Sequence, residues 1–245
     1  MSAAGGLSYI EQLNNADKCT TPRRPILRAV NHTEHVAVFF RPRCKLWSCP
    51  YCAEENRKLW IARAYYGAAV LEQVCFLTLT SHPKLSPAAS VGVFGQAWNV
   101  LRLRARRSAP EGQFMMIPER HKDGRLHAHA IETFSLGTRW WKDNAAECGL
   151  GYMAEEEVAH TPQGAAWYVG KYMTKQLEGG SWPKGWRRAR TSRDWPKLPP
   201  MPVSEDWSFT SLPNDEALNT AIARLEQGGY FIIISDTGAA WDVVG

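Results

Sequence analysis

The chain has 245 residues, 44% of them hydrophobic and 22% charged. That balance supports one sizeable core with room for a small second module, and it excludes wholesale disorder. No apolar run reaches the roughly 18 residues of a membrane span, and the opening MSAAGGLSYIEQLNN lacks a basic region followed by an apolar core, so a cytoplasmic protein with no membrane partner is expected. Net charge is +5, unevenly spread: from Leu198 onward seven acids stand against one base, Arg224, leaving 28 bases against 17 acids before it. A basic body with an acidic tail suggests a polyanionic partner, most simply nucleic acid. The alternative is a solvated basic face. The eleven tryptophans are either core or stacking surfaces for bases.

In chain order, residues 1–34 read as polar and irregular. HVAVFFRP (35–42) reads as a short strand running into a cysteine cluster. Residues 53–71 have helical periodicity, and VCFLTLTSH (74–82) alternates as a strand. Residues 86–107 read as a helix with Ser86 before it, Pro87 in its first turn and arginines in its last. FMMIPERH (114–121) and LHAHAIET (126–133) are two strands joined by KDGR, where Asp-Gly signals a hairpin. Residues 139–148 form a helix closed by Gly149, 152–160 a strand, and 162–177 a helix with Pro162 at its start. The Gly-, Pro-, Trp- and Arg-rich stretch 179–202 reads as an irregular arm. A helix over 214–229 capped by Asn214 and a buried strand over 230–236 complete the chain. The hairpin demands antiparallel pairing, so the expected class is α+β, a sheet layered with helices. The expected division is a cysteine-rich segment (1–57), a central core (58–180), and a basic arm followed by an acidic helix and strand (181–245).

His127 and His129 are two apart on a strand, so both imidazoles face one way and can reach one divalent ion. Glu119, across the hairpin, folds back toward them. His121 is the rival third ligand, and an ion pair with Arg120 or Arg125 is the bland alternative for Glu119. In YVGKYMTK, Tyr168 and Tyr172 are four apart and share a helix face, each followed three residues later by a lysine, Lys171 and Lys175. A phenol titrating near 10 is a weak nucleophile, and a nearby ammonium with a polarised phosphate makes its attack feasible. Two core aromatics on an amphipathic helix are the alternative. Cys44, Cys49 and Cys52 have zinc-knuckle spacing, with CPYC as the grip. Cys19 is the first choice for a fourth ligand, with His32 or His35 next; such a closed site would be structural. In SWPKGWRRARTSRDWPK (181–197), Arg187, Arg188, Arg190 and Arg193 are interleaved with Trp186 and two further indoles. Arginine on phosphate and indole on base would make this arm a DNA contact.

FLTLTSHP, ERHKDGRLHAH and YVGKYMTK, in that order over residues 74–178, resemble the HUH superfamily of rolling-circle replication initiators, most nearly the two-tyrosine replication proteins of single-stranded DNA phages. The resemblance implies the HUH endonuclease fold, a central antiparallel sheet with a ferredoxin-like palm. It implies Mg²⁺ or Mn²⁺ held by His127, His129 and Glu119, attack by Tyr168 or Tyr172 on an origin in single-stranded DNA, a 5′-phosphotyrosine, and a free 3′-OH. The second tyrosine would cut the regenerated origin, and the strands would rejoin without ATP, with Lys171 and Lys175 positioning phosphate. Host polymerase and a host helicase would be partners, since the chain has no P-loop pattern of its own. A non-catalytic single-stranded DNA-binding regulator and a related plasmid initiator or transposase remain as alternatives.

Overall fold

The computed structural model describes residues 8–16, 19, 24–71, 74–159, 161–178, 182, 186–199 and 205–235. Two compact units emerge, Met1–Asn56 with Pro200–Gly245, and Arg57–Pro199. None of the described helices is long and apolar enough to cross a membrane.

The first unit is built on a four-stranded sheet of order β8-β1-β2-β9, from β1 (Ile26–Asn31), β2 (Val36–Phe40), β8 (Trp207–Leu212) and β9 (Phe231–Ile234). β1 pairs antiparallel with β2 and β8, while β9 lies parallel to β2. Helices α1 (Tyr9–Ala16) and α6 (Asp215–Gln227) supply Leu13, Leu218, Ala221 and Ile222 to a core with Val30, Ala37 and Phe39. Asn214 caps α6 as its sequence predicts, accepting from Ala217 N at 2.9 Å. Four elements depart from the sequence reading. α1 and β1 lie where irregular chain is expected, and β8 forms from a segment left without an element. β9 is an edge strand rather than a buried one, with Phe231 68% exposed. Its apolar run reflects the helix-packed face and its pairing with β2, not burial on all sides.

The second unit holds a five-stranded sheet of order β6-β3-β5-β4-β7, antiparallel at every pairing. Its strands are β3 (Val74–Ser81), β4 (Phe114–Arg120), β5 (Leu126–Glu132), β6 (Leu150–Ala159) and β7 (Arg190–Thr191). Alternation sorts the side chains by chemistry. Leu77, Leu79, Met116, Leu126, Ala128, Ala130 and Ala154 face one side and pack with Phe94, Trp98, Leu101 and Trp141. Those partners come from α3 (Pro87–Ser108) and α4 (Thr138–Glu147). The opposite side carries Thr78, His127, His129 and Glu119 and is crossed by α5 (Pro162–Glu178). The hairpin turn places Gly124 at φ 82°, where a side chain would be strained.

Two local details explain how the sequence tolerates this sheet. Phe114 turns its N–H and C=O outward to Ser192 (3.2 and 2.9 Å), so Pro118, four residues on, also turns its nitrogen outward. Among the described residues the β4–β7 register covers Met115 and Met116, so Pro118 lies at the end of that edge pairing, where a strand tolerates proline. Helix α4 starts at Gly137 without a side-chain cap of its own. Glu156 of β6 substitutes, accepting from Gly137 N (2.7 Å), Leu136 N (3.2 Å), Ser135 Oγ (2.8 Å) and Trp141 Nε1 (3.0 Å).

Glu132 is the anomaly of this sheet: it is 1% exposed, and its Oε2 has no hydrogen-bond partner among the described residues. Burial, and then the negative Glu156, push its carboxyl well above the ordinary value of 4.5. The folded chain therefore holds a proton that the unfolded chain loses above about pH 4.5, so this group's stabilising share declines as pH rises from there. Thermal unfolding of Glu132→Gln, which removes the ionisation, should show a stability advantage over wild type that grows with pH. Parallel pH profiles for the two proteins would contradict this account.

Candidate functional site

The β4–β5 register sets Glu119 directly opposite His127, and β3 sets Thr78 opposite His129 and Thr80 opposite His127. The predicted trio therefore lies on one face, but the three are not equally engaged. His129 is 4% exposed, with Nε2 at 2.7 Å from Glu119 Oε2 and Nδ1 at 3.2 Å from the Tyr168 hydroxyl and 3.3 Å from Thr78 Oγ1. The second Glu119 oxygen accepts from Lys175 Nζ at 2.7 Å. Burial alone would raise the Glu119 carboxyl; the hydrogen bonds from His129 and Lys175 outweigh it and hold the group down at about 2. His127 stacks on His121, rings parallel at 4.5 Å. Burial, helped by His121 and His129, pushes His127 down to about 4; burial, with Lys175 and Lys171, lowers His129 against the pull of Glu119. Two neutral imidazoles and one ionised carboxylate on a rigid sheet face are a donor set suited to a divalent cation. His121, the rival ligand, instead sits 3.7 Å from Asp123.

Helix α5 lays both tyrosines against this face, in different circumstances. Tyr168 is 9% exposed, its ring stacked on Phe76 at 4.3 Å. Its hydroxyl lies 3.2 Å from Thr78 Oγ1, 3.2 Å from His129 Nδ1 and 3.3 Å from the Leu77 carbonyl. Burial raises its phenol steeply. Tyr172 is half-buried, its ring parallel to that of His129 at 3.3 Å. Both lysines flank Tyr172, Lys171 Nζ 5.3 Å and Lys175 Nζ 5.0 Å from its ring centre. Burial, then Glu119 and Glu157, raise this phenol too. Two residues not singled out in the sequence join the site. Thr78 bridges His129 and Tyr168; strand alternation already put it on the histidine face, but only the register shows which histidine it meets. Trp167, 68% exposed, lies 5.4 Å from Lys171 Nζ.

In the first unit, Cys19, Cys44, Cys49 and Cys52 bring their sulfurs within 4.8 Å of one another. Cys19 Sγ lies 3.1 Å and Cys44 Sγ 3.4 Å from Cys52 Sγ, far beyond the ~2.05 Å of a disulfide. Four thiols so placed could hold a metal such as zinc in a tetrahedron. Cys49 precedes, and Cys52 lies in, the first turn of α2 (Pro50–Leu71); burial, then the neighbouring Cys19 and Cys44 thiols, push the Cys52 thiol up, so a bound metal would have to displace its proton. The helix starts three residues earlier than its periodicity suggests, because Pro50 suits a first helical position and the CPYC turn is itself helical. The histidine alternatives lie elsewhere: His32 contacts Tyr230 (2.8 Å) and Ser208 (3.2 Å), and His35 packs on Tyr230.

The basic arm is not free chain where it is described. β7 pairs with β4, and Trp195 packs flat on Gly67, donating from Nε1 to the Arg63 carbonyl at 3.2 Å. A β-carbon on Gly67 would stand 2.5 Å from that indole. Trp182 and Trp186 stack on each other at 6.2 Å beside the α3 core. Arg188 covers Trp182 at 4.9 Å, and Arg190 covers Trp186 at 5.3 Å. Arg187 and Arg193 are exposed. Burial, then Arg120, push Arg188 down to about 10; burial, then Arg187 and Arg102, lower Arg190.

Residues 74–177 match a family model described as replication-associated protein ORF2/gene II protein. That stretch runs from β3 through α5 and contains His127, His129, Glu119 and both tyrosines. No curated protein and no solved structure matches the chain. The match, over about two-fifths of the chain, supports a replication-associated family.

Metal analysis of the purified protein should return about one zinc per chain, and a strong chelator or Cys52→Ser should lower Tm markedly. Metal-free protein with an unchanged Tm in chelator would remove the zinc assignment.

Proposed function

We propose that the protein is a replication initiator that cuts single-stranded DNA at an origin, with Tyr172 as the nucleophile of the first cleavage. The observation that carries this reading is the placement of Tyr172 directly on the His129 ring, between two lysines, on the sheet face that holds His127 and Glu119. The family match over the same segment supports it. A divalent cation, Mg²⁺ or Mn²⁺, held by His127, His129 and Glu119 would supply Lewis acidity to the scissile phosphate.

The remaining work falls to the chain's own groups. The Tyr172 oxygen forms a bond to phosphorus as the bond from phosphorus to the 3′ oxygen breaks; the phenol proton leaves to water and the departing 3′ oxygen takes a proton from water, leaving a 5′-phosphotyrosine and a 3′-OH. Lys171 and Lys175 offset the negative charge that gathers there. Lys175 also fixes Glu119, while the hydrogen bond between Glu119 and His129 Nε2 holds the two groups together in the metal-free chain and would give way to a cation shared by both. With a cation on His129 Nε2, the ring would carry its proton on Nδ1 and donate to the Tyr168 oxygen, and the Tyr168 hydroxyl would donate its hydrogen bond to the Leu77 carbonyl. Tyr168 thus positions the imidazole during the first cleavage. It could attack in a later transfer only by giving up these contacts. The retained phosphodiester energy lets the 3′-OH reverse the adduct, which is the rejoining step. Single-stranded DNA is the expected partner, with host polymerase and helicase downstream.

A denaturing-gel assay for covalent adduct, with single-stranded DNA carrying the origin and Mn²⁺ or EDTA, tests the reading. Adduct should need metal. Tyr172→Phe should lower its rate of formation by roughly a thousandfold, and Tyr168→Phe by about tenfold. The reverse order would exchange the roles of the tyrosines. DNA binding without adduct under any condition would leave a non-catalytic single-strand-binding regulator.

A further inference from the structure

Among the described residues Trp167 is the only exposed tryptophan, at 68%. Trp98, Trp141 and Trp195 are buried, and Trp182 and Trp186 are covered by arginines. A single exposed apolar side chain is ordinary by itself; its neighbours distinguish this one. Trp167 stands on α5 one residue before Tyr168 and four before Lys171, which is also exposed. Lys171 Nζ lies 5.4 Å from the Trp167 ring centre and 5.3 Å from that of Tyr172. One ammonium thus sits between the exposed indole and the candidate nucleophile. Lys175 continues the row a turn further on, 5.0 Å from the Tyr172 ring. Four residues of helix rise about 6 Å, a step that the base and phosphate of one nucleotide can bridge.

The opposite flank of the tyrosines repels a phosphate chain. The β3–β6 register sets Glu155 opposite Thr78 and Glu157 opposite Phe76, so both acids project from the face that carries Thr78, and both are exposed. A polyanionic strand is therefore drawn along the exposed row of α5 rather than over β6. The bland alternative is that Trp167 merely shields the Lys171 side chain, an exposed cation–π pair four residues apart on a helix. That pairing leaves most of the indole in water, where a base can still reach it.

We propose that Trp167 is the stacking platform for a base next to the scissile phosphate, with Lys171 on that nucleotide's phosphate. The inference rests on the reading of this site as one that cuts single-stranded DNA. Every base has a π-face, so an indole grips all four. Trp167 would supply hold and register rather than sequence choice, keeping the scissile phosphate at Tyr172 without touching a reacting atom itself.

The test separates binding from cutting and uses the full chain. In EDTA, affinity for an origin-bearing single strand should fall roughly tenfold or more in Trp167→Ala and stay within about threefold of wild type in Trp167→Phe. The plot of log affinity against log salt should keep its slope in Trp167→Ala and become shallower in Lys171→Gln, because losing a stack releases no counterion and losing a phosphate contact does. Tm should stay at the wild-type value in Trp167→Ala, which separates a lost stack from a disturbed helix. Adduct formation in Mn²⁺ is then followed on strands carrying one abasic site at each position around the cut. An abasic site at one position beside the cut should slow wild type as much as Trp167→Ala slows the intact strand, and the two changes together should add nothing. Wild-type affinity in Trp167→Ala, no recovery in Trp167→Phe, or additive losses at every abasic position would overturn the proposal. If no strand forms an adduct, the abasic series is read by affinity in EDTA with the same criteria. Failure of the nickase reading and failure of this one are therefore separate results.

Discussion

Most of the second unit depends on the antiparallel register of β3, β5 and β4. Setting Glu119 against His127 and Thr78 against His129 puts every polar group of the candidate site on one face of the sheet. The same register commits Leu77, Ala128, Ala130 and Met116 to the other, where Trp98 and Trp141 pack. Because the side-chain period of a strand is two, a slip of one residue would exchange the faces, burying histidines in the helix-packed core and exposing the apolar set. Core packing therefore fixes the positions of the site residues, and the site needs no stabilisation of its own. The polar face is free to hold a depressed carboxyl and neutral imidazoles that a core would not tolerate unpaired.

The two tyrosines show how burial separates identical groups. Four residues apart on one helix, they share a face, yet Tyr168 closes against Phe76, Thr78 and the Leu77 carbonyl while Tyr172 remains half-buried over His129. The Tyr168 phenol is engaged by three neighbours, and the Tyr172 phenol is bordered by a ring and two ammonium groups. The same contrast runs through the arm: Arg188 and Arg190 cover indoles, whereas Arg187 and Arg193 stay exposed.

The cysteine cluster answers a different constraint. In a unit whose sheet has four short strands and two helices, four thiols from two chain segments meet at the start of α2. A metal there would tie Cys19 to the 44–52 turn, a cross-link that the modest core around Leu13 and Phe39 does not provide.

Sequence alone determined what local pattern can determine. The hairpin with its Asp-Gly turn, the helices with Ser86, Asn214 and their prolines, and the same-face placement of His127 with His129 and of Tyr168 with Tyr172 follow from periods of two and 3.6 residues. The CPYC spacing likewise fixes a metal-capable turn before any fold is known. Short strands such as β1, β7 and β8 were illegible because each is defined by its neighbour's edge. β7 has only two residues and exists through Met115 and Met116. Tertiary structure decided which tyrosine is buried, that Cys19 rather than His32 or His35 joins the cluster, that Thr78 braces His129, and that the Glu132 carboxyl ends buried in the sheet. Each of these is a relation between segments far apart in the chain. Side-chain period says which way a residue points, and only long-range packing says what it meets.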